Sequence, residues 1–330
     1  MRLCFLRGIL GAAAILLVVS CRDSEKPKTA ETLNSVRHVG IATLMSHPAL
    51  DSVISNMKEE LSRRGFREGD SIRYTLRNAN GDANLAVTIV RELEVAKPDV
   101  VVAVTTPVAQ VAAKEVRGPL VFSAVTDPVG AGVVASLTSP PPNVTGVSDA
   151  WPYRAQLELA REILPTAKRL GVVFNPGEVT SQYGIARIRE IAPALGFELV
   201  EIPVSNTGEI FGALRLQAPS LDAVYLSSDN TVISGVPAAL SVCLDQKKPL
   251  FVGDSGTVEQ GGLAAVSVGY AGVGRETGGL VARMLGGERS IPVVVATGDE
   301  VFLNLDTARR IGIEIPPAVR ARATRVFGQP

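Results

Sequence analysis

Four apolar runs in this chain end in an aspartate. "FSAVTD" stops at Asp127, "NVTGVSD" at Asp149, "DAVYLSSD" at Asp229 and "PLFVGD" at Asp254. Small polar residues crowd the same places: Thr105-Thr106-Pro107, Thr126, Ser148, Asn175-Pro176-Gly177-Glu178, Ser227-Ser228, Asn230 and Ser255-Gly256. These types suit two jobs. Asp, Ser, Thr and Asn cap helix N-termini, each worth roughly 0.5–2 kcal/mol, and a proline just afterwards fits the first helical turn. Carboxylates gathered without partners also repel one another and call for a cation. Asp127, Asp149, Glu178, Asp229 and Asp254 have no lysine or arginine among the adjacent strand-end residues. Helix starts at Thr106 and at Thr180-Ser181 offer unpaired N–H groups and a positive dipole end, which suit an anion. A site that takes both an ammonium and a carboxylate is a zwitterion site, and an amino acid is the simplest ligand for it.

Other chemistries find less support. The chain has two histidines, His38 and His47, and no Ser-His-Asp or Cys-His arrangement follows from their spacing. No glycine-rich phosphate loop follows the first strand, where "IATLMSHPALD" stands instead. His47-Pro48 reads first as a turn before a helix and second as a ligand contact. The three cysteines are Cys4, Cys21 and Cys243, which leave no disulfide, zinc set or redox pair in one mature chain, and Cys243 reads as a small core residue. No metal and no cofactor are expected. Lys+Arg and Asp+Glu balance at 33 each and aromatics make up 5%, so neither a basic footprint nor a base-stacking surface for nucleic acid is expected.

The elements that must position these residues begin after the N-terminal segment. Residues 1–20 read as a signal peptide, with Arg2 and Arg7 beside the uncharged "GILGAAAILLVV", a run too short to span a bilayer as a stable helix. "VVSC" resembles a bacterial lipobox, which makes Cys21 the lipidated residue and 21–35 a polar tether, with a plain signal peptide as the alternative. From Val36 apolar runs alternate with amphipathic patterns. "RHVGIATL", "SIRYTLRNA", "DVVVAV", "PLVFSAV" and "NVTGVS" read as strands; "ALDSVISNMKEELSRRGF" and "DANLAVTIVRELEVAK" read as helices between them. A second alternating series runs from "YRAQLELAREILP" through "VISGVPAALSVCLDQ" to "GGLAAVSVGY", and "VGRETGGLVARMLGG" follows as a helix. The tail "EVFLNLDTARRIGIEIP" adds a strand and a short helix. Two such series predict two doubly wound α/β lobes with parallel sheets. The first spans 36–149 plus about 270–303, and the second 150–269 plus about 304–330. Ligands of open parallel sheets bind outside the carboxyl ends of the strands, which places the aspartates at a crevice.

"HPALD", "TTPVAQ", "AVTDPVGAGVVASL", "NVTGVSD", "GVVFNPGEVTS", "DAVYLSSDNTVISG" and "VEQGGLAAVSVGY" with "GRETG" occur in that order. Together they resemble the ABC transporter substrate-binding proteins of the tryptophan/tyrosine-binding type, over Val36 to about Pro317. The resemblance implies a type I periplasmic-binding (Venus-flytrap) architecture, hinged between lobes. It implies ligand-binding roles for Thr105, Thr106, Gln110, Thr126, Asp127 and Asp149 in the first lobe. In the second it implies them for Asn175, Glu178, Ser181, Asp229, Asn230 and Asp254. Trp151 and Tyr153 stand where a threonine or another polar helix start is usual, and Ala271 and Gly272 where a bulkier residue is usual.

The function this implies is a lipid-anchored solute-binding protein of an ABC importer, at the periplasmic or extracytoplasmic face of the envelope. It would bind an amino-acid-like small molecule, with aromatic amino acids among the candidates, perform no chemistry, and touch the membrane through its anchor only. ABC permease and ATPase subunits are the implied partners. Two rivals stay open: a sensory module that signals to a membrane receptor, and an enzyme on a similar α/β frame.

Overall fold

The apolar runs become strands, and the amphipathic segments become the helices that cover them. In this computed structural model the described residues are 36–329. The leader, Cys21 and the tether lie outside them. The first series is β1 (Arg37–Thr43), α1 (Pro48–Arg63), β2 (Ile72–Asn78), α2 (Ala83–Ala96), β3 (Val100–Val104), α3 (Thr106–Glu115), β4 (Leu120–Ser123) and β5 (Val144–Ser148). The second is α4 (Tyr153–Ile163), β6 (Arg169–Phe174), α5 (Val179–Ile191), β7 (Glu198–Pro203), α6 (Ile210–Gln217), β8 (Ala223–Leu226), α7 (Asn230–Ser234), α8 (Val236–Asp245), β9 (Leu250–Val252), α9 (Ser255–Gln260) and β10 (Ala264–Val268). The chain then forms α10 (Tyr270–Leu285), β11 (Val294–Val295), β12 (Gly298–Asn304), α11 (Leu305–Ile311), α12 (Pro317–Ala321) and β13 (Arg325–Phe327).

Two sheets result, in the orders β2-β1-β3-β4-β5-β11 and β7-β6-β8-β9-β10-β12-β13. Both are doubly wound α/β sheets, parallel except where β12 runs antiparallel to β10. Every residue of β3 is buried, which its unbroken Val/Ala run requires of a strand covered on both faces. The strand order reverses between β1 and β3 in one lobe and between β6 and β8 in the other. These switch points open a crevice at the carboxyl ends of the strands.

The chain passes between the lobes three times: through Asp149–Pro152 after β5, at Gly269 after β10, and at Ala296-Thr297 after β11. The glycines of "GRETG" let α10 lie against α1. A Cβ on Gly274 would stand 2.5 Å from the Val53 carbonyl oxygen, and one on Gly278 would stand 2.8 Å from that of Met57. Thr277, between them, meets the Ser123 hydroxyl of β4 at 2.7 Å.

Two sequence expectations differ from the structure. The first lobe was expected to keep the chain to about 303, but β12 pairs with β10, so the last crossing falls directly after β11. Val301, Phe302 and Leu303 are buried there, and an apolar strand does not itself specify which of two sheet edges it joins. "VISGVPAALSVCLDQ" forms two helices rather than one. They break at Gly235, where a Cβ would stand 2.3 Å from Ile210 Cδ1.

Candidate functional site

The two switch points face each other across one cavity. Met45, His47, Thr105 and Thr106 come from the ends of β1 and β3; Thr180, Ser228, Asp229 and Asn230 come from beyond β6 and β8. Ala124, Thr126 and Asp149 end β4 and β5, Asp254 precedes α9, and Trp151 and Tyr270 reach in from two of the crossings. Ala49, Leu50 and Ile233 add apolar wall. The space between these residues, about 480 Å³ free of protein atoms, includes part of the open mouth, and the cavity proper is about 50 Å³. Among the described residues, no lysine or arginine lines it.

The aspartates divide into caps and one exception. Asp254 caps α9, accepting from the Thr257 amide at 2.8 Å and the Thr257 hydroxyl at 2.7 Å. Asp229 caps α7 through the Val232 amide at 3.0 Å and takes the Asn175 amide at 2.5 Å on its other oxygen. Burial first, and then the nearby charge of Glu178, push the Asp229 carboxyl up to about 6. Asp149 caps nothing, because α4 starts without a side-chain cap. It is 4% exposed and accepts hydrogen bonds from the Thr126 hydroxyl at 3.2 Å and the Tyr270 hydroxyl at 3.0 Å. Burial pushes its carboxyl up to about 7, against the opposing pull of those two hydroxyls.

Some expected ligand residues are engaged elsewhere. Asp127 accepts from the Gly130 amide at 2.9 Å within its own turn and does not line the cavity. Glu178 takes four donors: the Asn230 amide at 3.1 Å, Asn230 Nδ2 at 2.9 Å, the Thr231 amide at 2.7 Å and the Thr231 hydroxyl at 2.5 Å. It therefore serves α7 as a cap from a neighbouring loop. Asn175 spends its Nδ2 on Thr231 and its Oδ1 on the Gly177 amide. Gln110 donates to the Ala131 carbonyl at 3.0 Å. Asn175, Glu178 and Gln110 line the wider outer mouth. Ser181 is fully buried beside Asp229 and lines neither space.

Two groups of the lining are unpaired. Thr105 has φ 82° and ψ 157°, a region essentially reserved for glycine, which costs about 1–3 kcal/mol. Its buried hydroxyl has no hydrogen-bond partner. His47 caps α1 by accepting the Ala49 amide at Nδ1, 3.3 Å away. In the neutral ring that leaves the proton on Nε2, which has no hydrogen-bond partner and stands 3.9 Å from Asp254 across the lobes.

Direct bonds also join the lobes. The Thr126 and Ser228 hydroxyls meet at 2.9 Å, and the Ser234 hydroxyl meets the Met45 sulfur at 2.9 Å. The Trp151 ring lies where any Cβ on Gly253 would stand, 2.2 Å from its nearest ring carbon, and Trp151 Nε1 donates to the Tyr270 hydroxyl at 3.1 Å. Sequence reasoning passed over Met45, Ile233 and Tyr270; it marked Thr180 as a helix start suited to an anion and Ser228 as a strand-end residue, without assigning either a ligand contact. Tyr270 stands two residues after a strand, which is the available signal, but an aromatic ring lacks the small polar character of the other strand ends.

This lining, two strand-end switch points closed around a buried cavity, is that of a bilobed small-molecule-binding protein. The chain belongs to the ABC transporter substrate binding protein family, whose model matches residues 38–327. It is 29% identical over 314 residues to the tyrosine-binding protein of Clostridioides difficile (strain R20291), covering 93% of this chain and 91% of that one. A Streptococcus pneumonia ABC domain in complex with L-Trp is 31% identical, with TM-score 0.85 over 89% of this chain and 100% of that one. The ligand-free, open structure of a Clostridium difficile substrate binding protein with adhesive properties is also 31% identical over 89% and 100%, with TM-score 0.68.

The raised Asp149 carboxyl has a consequence for stability. Between the ordinary value of 3.8 and about 7, the folded protein keeps a proton that the unfolded chain has released. The contribution of this group is therefore most favourable below about pH 4, falls as pH rises toward 7, and stays low above it. Asp149→Asn should stabilise the ligand-free protein at pH 7.5 and above by roughly 1–4 kcal/mol, with the gain vanishing in acid. Urea denaturation across pH measures this, and a variant less stable than wild type at pH 7.5 would contradict it.

Proposed function

We propose that this protein is the lipid-anchored binding component of an ABC importer and that it closes its lobes on an amino acid. The observation that carries the reading is a buried carboxyl group, Asp149, in a cavity lined by no lysine or arginine among the described residues, which also holds the unpaired Thr105 hydroxyl at the start of α3. An ammonium group on Asp149 would supply the missing counter-charge. The ligand carboxylate would take the Thr105 hydroxyl and the first-turn amides of α3, where the helix dipole favours an anion.

The comparisons support the amino acid and the closure. The relatives named above are a tyrosine-binding protein and a domain bound to L-Trp. At equal identity and coverage, the chain superposes better on the L-Trp complex than on the ligand-free, open structure. The bonds from Thr126 to Ser228 and from Ser234 to Met45 fit that closed arrangement. In this reading the ligand shifts a population from open to closed lobes. A permease then receives the closed form on the extracytoplasmic side, where "VVSC" supports lipidation at Cys21.

Calorimetry with L-tryptophan, L-tyrosine and their one-charge analogues tests the ligand. Removing either the amine or the carboxylate should weaken binding by roughly one to two orders of magnitude. Equal affinity for an analogue lacking the amine, or binding of neutral sugars alone, would overturn the assignment. The anchor has its own test. Cys21→Ser should leave affinity unchanged and release the protein from the membrane fraction, whereas unlipidated, soluble wild type would refute it.

A further inference from the structure

We propose that Tyr270 is a positioning residue that couples the ligand's ammonium anchor, Asp149, to closure of the hinge. This rests on the amino-acid reading of the cavity and adds a role for a residue that sequence reasoning passed over.

Tyr270 is the first residue of α10, directly after the crossing at Gly269. Its hydroxyl stands between two groups of fixed character. Trp151 Nε1 can only donate, and it does so to the Tyr270 oxygen at 3.1 Å. The single phenolic proton is then free to point one way, to Asp149 at 3.0 Å. The indole is held by packing as well as by that bond, since its ring fills the space over Gly253 in the second lobe. Trp151 and Asp149 share the crossing Asp149–Pro152, with the indole seated over Gly253 of the second lobe, while α10 packs on α1 of the first. Closure sets the indole N–H on the phenol, and the phenol commits its proton to the carboxylate. On the other oxygen, Thr126 donates to Asp149 and meets Ser228 of the second lobe at 2.9 Å. Both side-chain partners that favour a charged Asp149 therefore touch the opposite lobe, and the remaining one is its own backbone amide.

The other titratable groups around Asp149 do not replace this donor. Tyr153 of α4 feels the Asp149 charge but makes no hydrogen bond to it. Asp229, Asp254 and His47 line the same cavity from the strand ends, and the hydrogen bonds to the Asp149 side chain come from Thr126 and Tyr270. Burial alone would keep the carboxyl protonated, and a protonated carboxyl is a poor ammonium partner. The Tyr270 bond lowers that obstacle in the arrangement where the ligand is enclosed.

The test uses the one tryptophan of the chain, Trp151. In the ligand-free protein the closed fraction carries the Tyr270–Asp149 bond, and the Trp151 fluorescence of that fraction should titrate with a midpoint near 7 as Asp149 ionises. Tyr270→Phe keeps the ring and removes the proton donor, so the midpoint should rise by about one to two pH units. Asp149→Asn should abolish the transition. By calorimetry, Tyr270→Phe should weaken L-tyrosine roughly tenfold near neutrality, and the loss should shrink as pH rises. An unmoved midpoint, or a loss of affinity equal at every pH, would reduce Tyr270 to a packing residue and overturn the proposal. Should wild type fail to bind L-tyrosine, the amino-acid reading suffers, while the ligand-free titration still decides the role of Tyr270. Trp151→Phe gives an independent variant: it frees the phenolic proton without removing the phenol and should weaken L-tyrosine with the same pH dependence. Unchanged affinity there would also count against the coupling.

Discussion

A carboxylate taken out of water at the end of a strand sets the terms for this cavity. Removing an ion from water costs several kcal/mol even after relaxation, and no lysine or arginine among the described residues lines the space around Asp149. Two hydroxyls offset part of the cost, from Thr126 and Tyr270. The rest is left for a group that the protein does not itself supply. That deficit, held in place by two rigid sheets, accounts for why a ligand cation would be enclosed here and why the lobes would close on it.

The neighbouring acids show the contrast. Asp229, Asp254 and Glu178 each accept backbone amides at a helix start, so they stabilise the frame that holds Asp149. Closure itself is lightly held. A hydrogen bond such as Thr126 to Ser228 contributes roughly 0.5–1.5 kcal/mol net, and moving a two-state equilibrium from mostly open to mostly closed takes about 5.5 kcal/mol of differential binding. The few direct bonds between lobes leave room for a ligand to decide the population.

Much of this was legible in the sequence. The alternating runs specify two doubly wound lobes because a parallel strand covered on both faces must be apolar throughout, as Val100–Val104 is. Strand ends rich in Thr and Asp located the crevice, and Thr105, Thr106, Thr126, Asp149, Asp229, Asn230 and Asp254 do line the cavity. What could not be read was the direction of each side chain. Asp127, Asn175, Glu178 and Ser181 share the composition of the site, yet their polar groups turn into loops or lie beneath it, since an acceptor near free amides satisfies those first. Trp151 was noticed only as a departure from pattern. Its role depends on Gly253, about a hundred residues away in the chain, and on Tyr270. The edge chosen by β12 was hidden for the same reason: pairing partners are not written in a strand's own residues.

The account makes Asp149 a group that is partly protonated when empty and charged when the ligand's ammonium arrives. Calorimetry of L-tyrosine binding in buffers of different ionisation enthalpy counts that proton directly. The account predicts net proton release on binding near pH 7 that grows as the pH falls toward 6. Binding with no proton released across that range would contradict it.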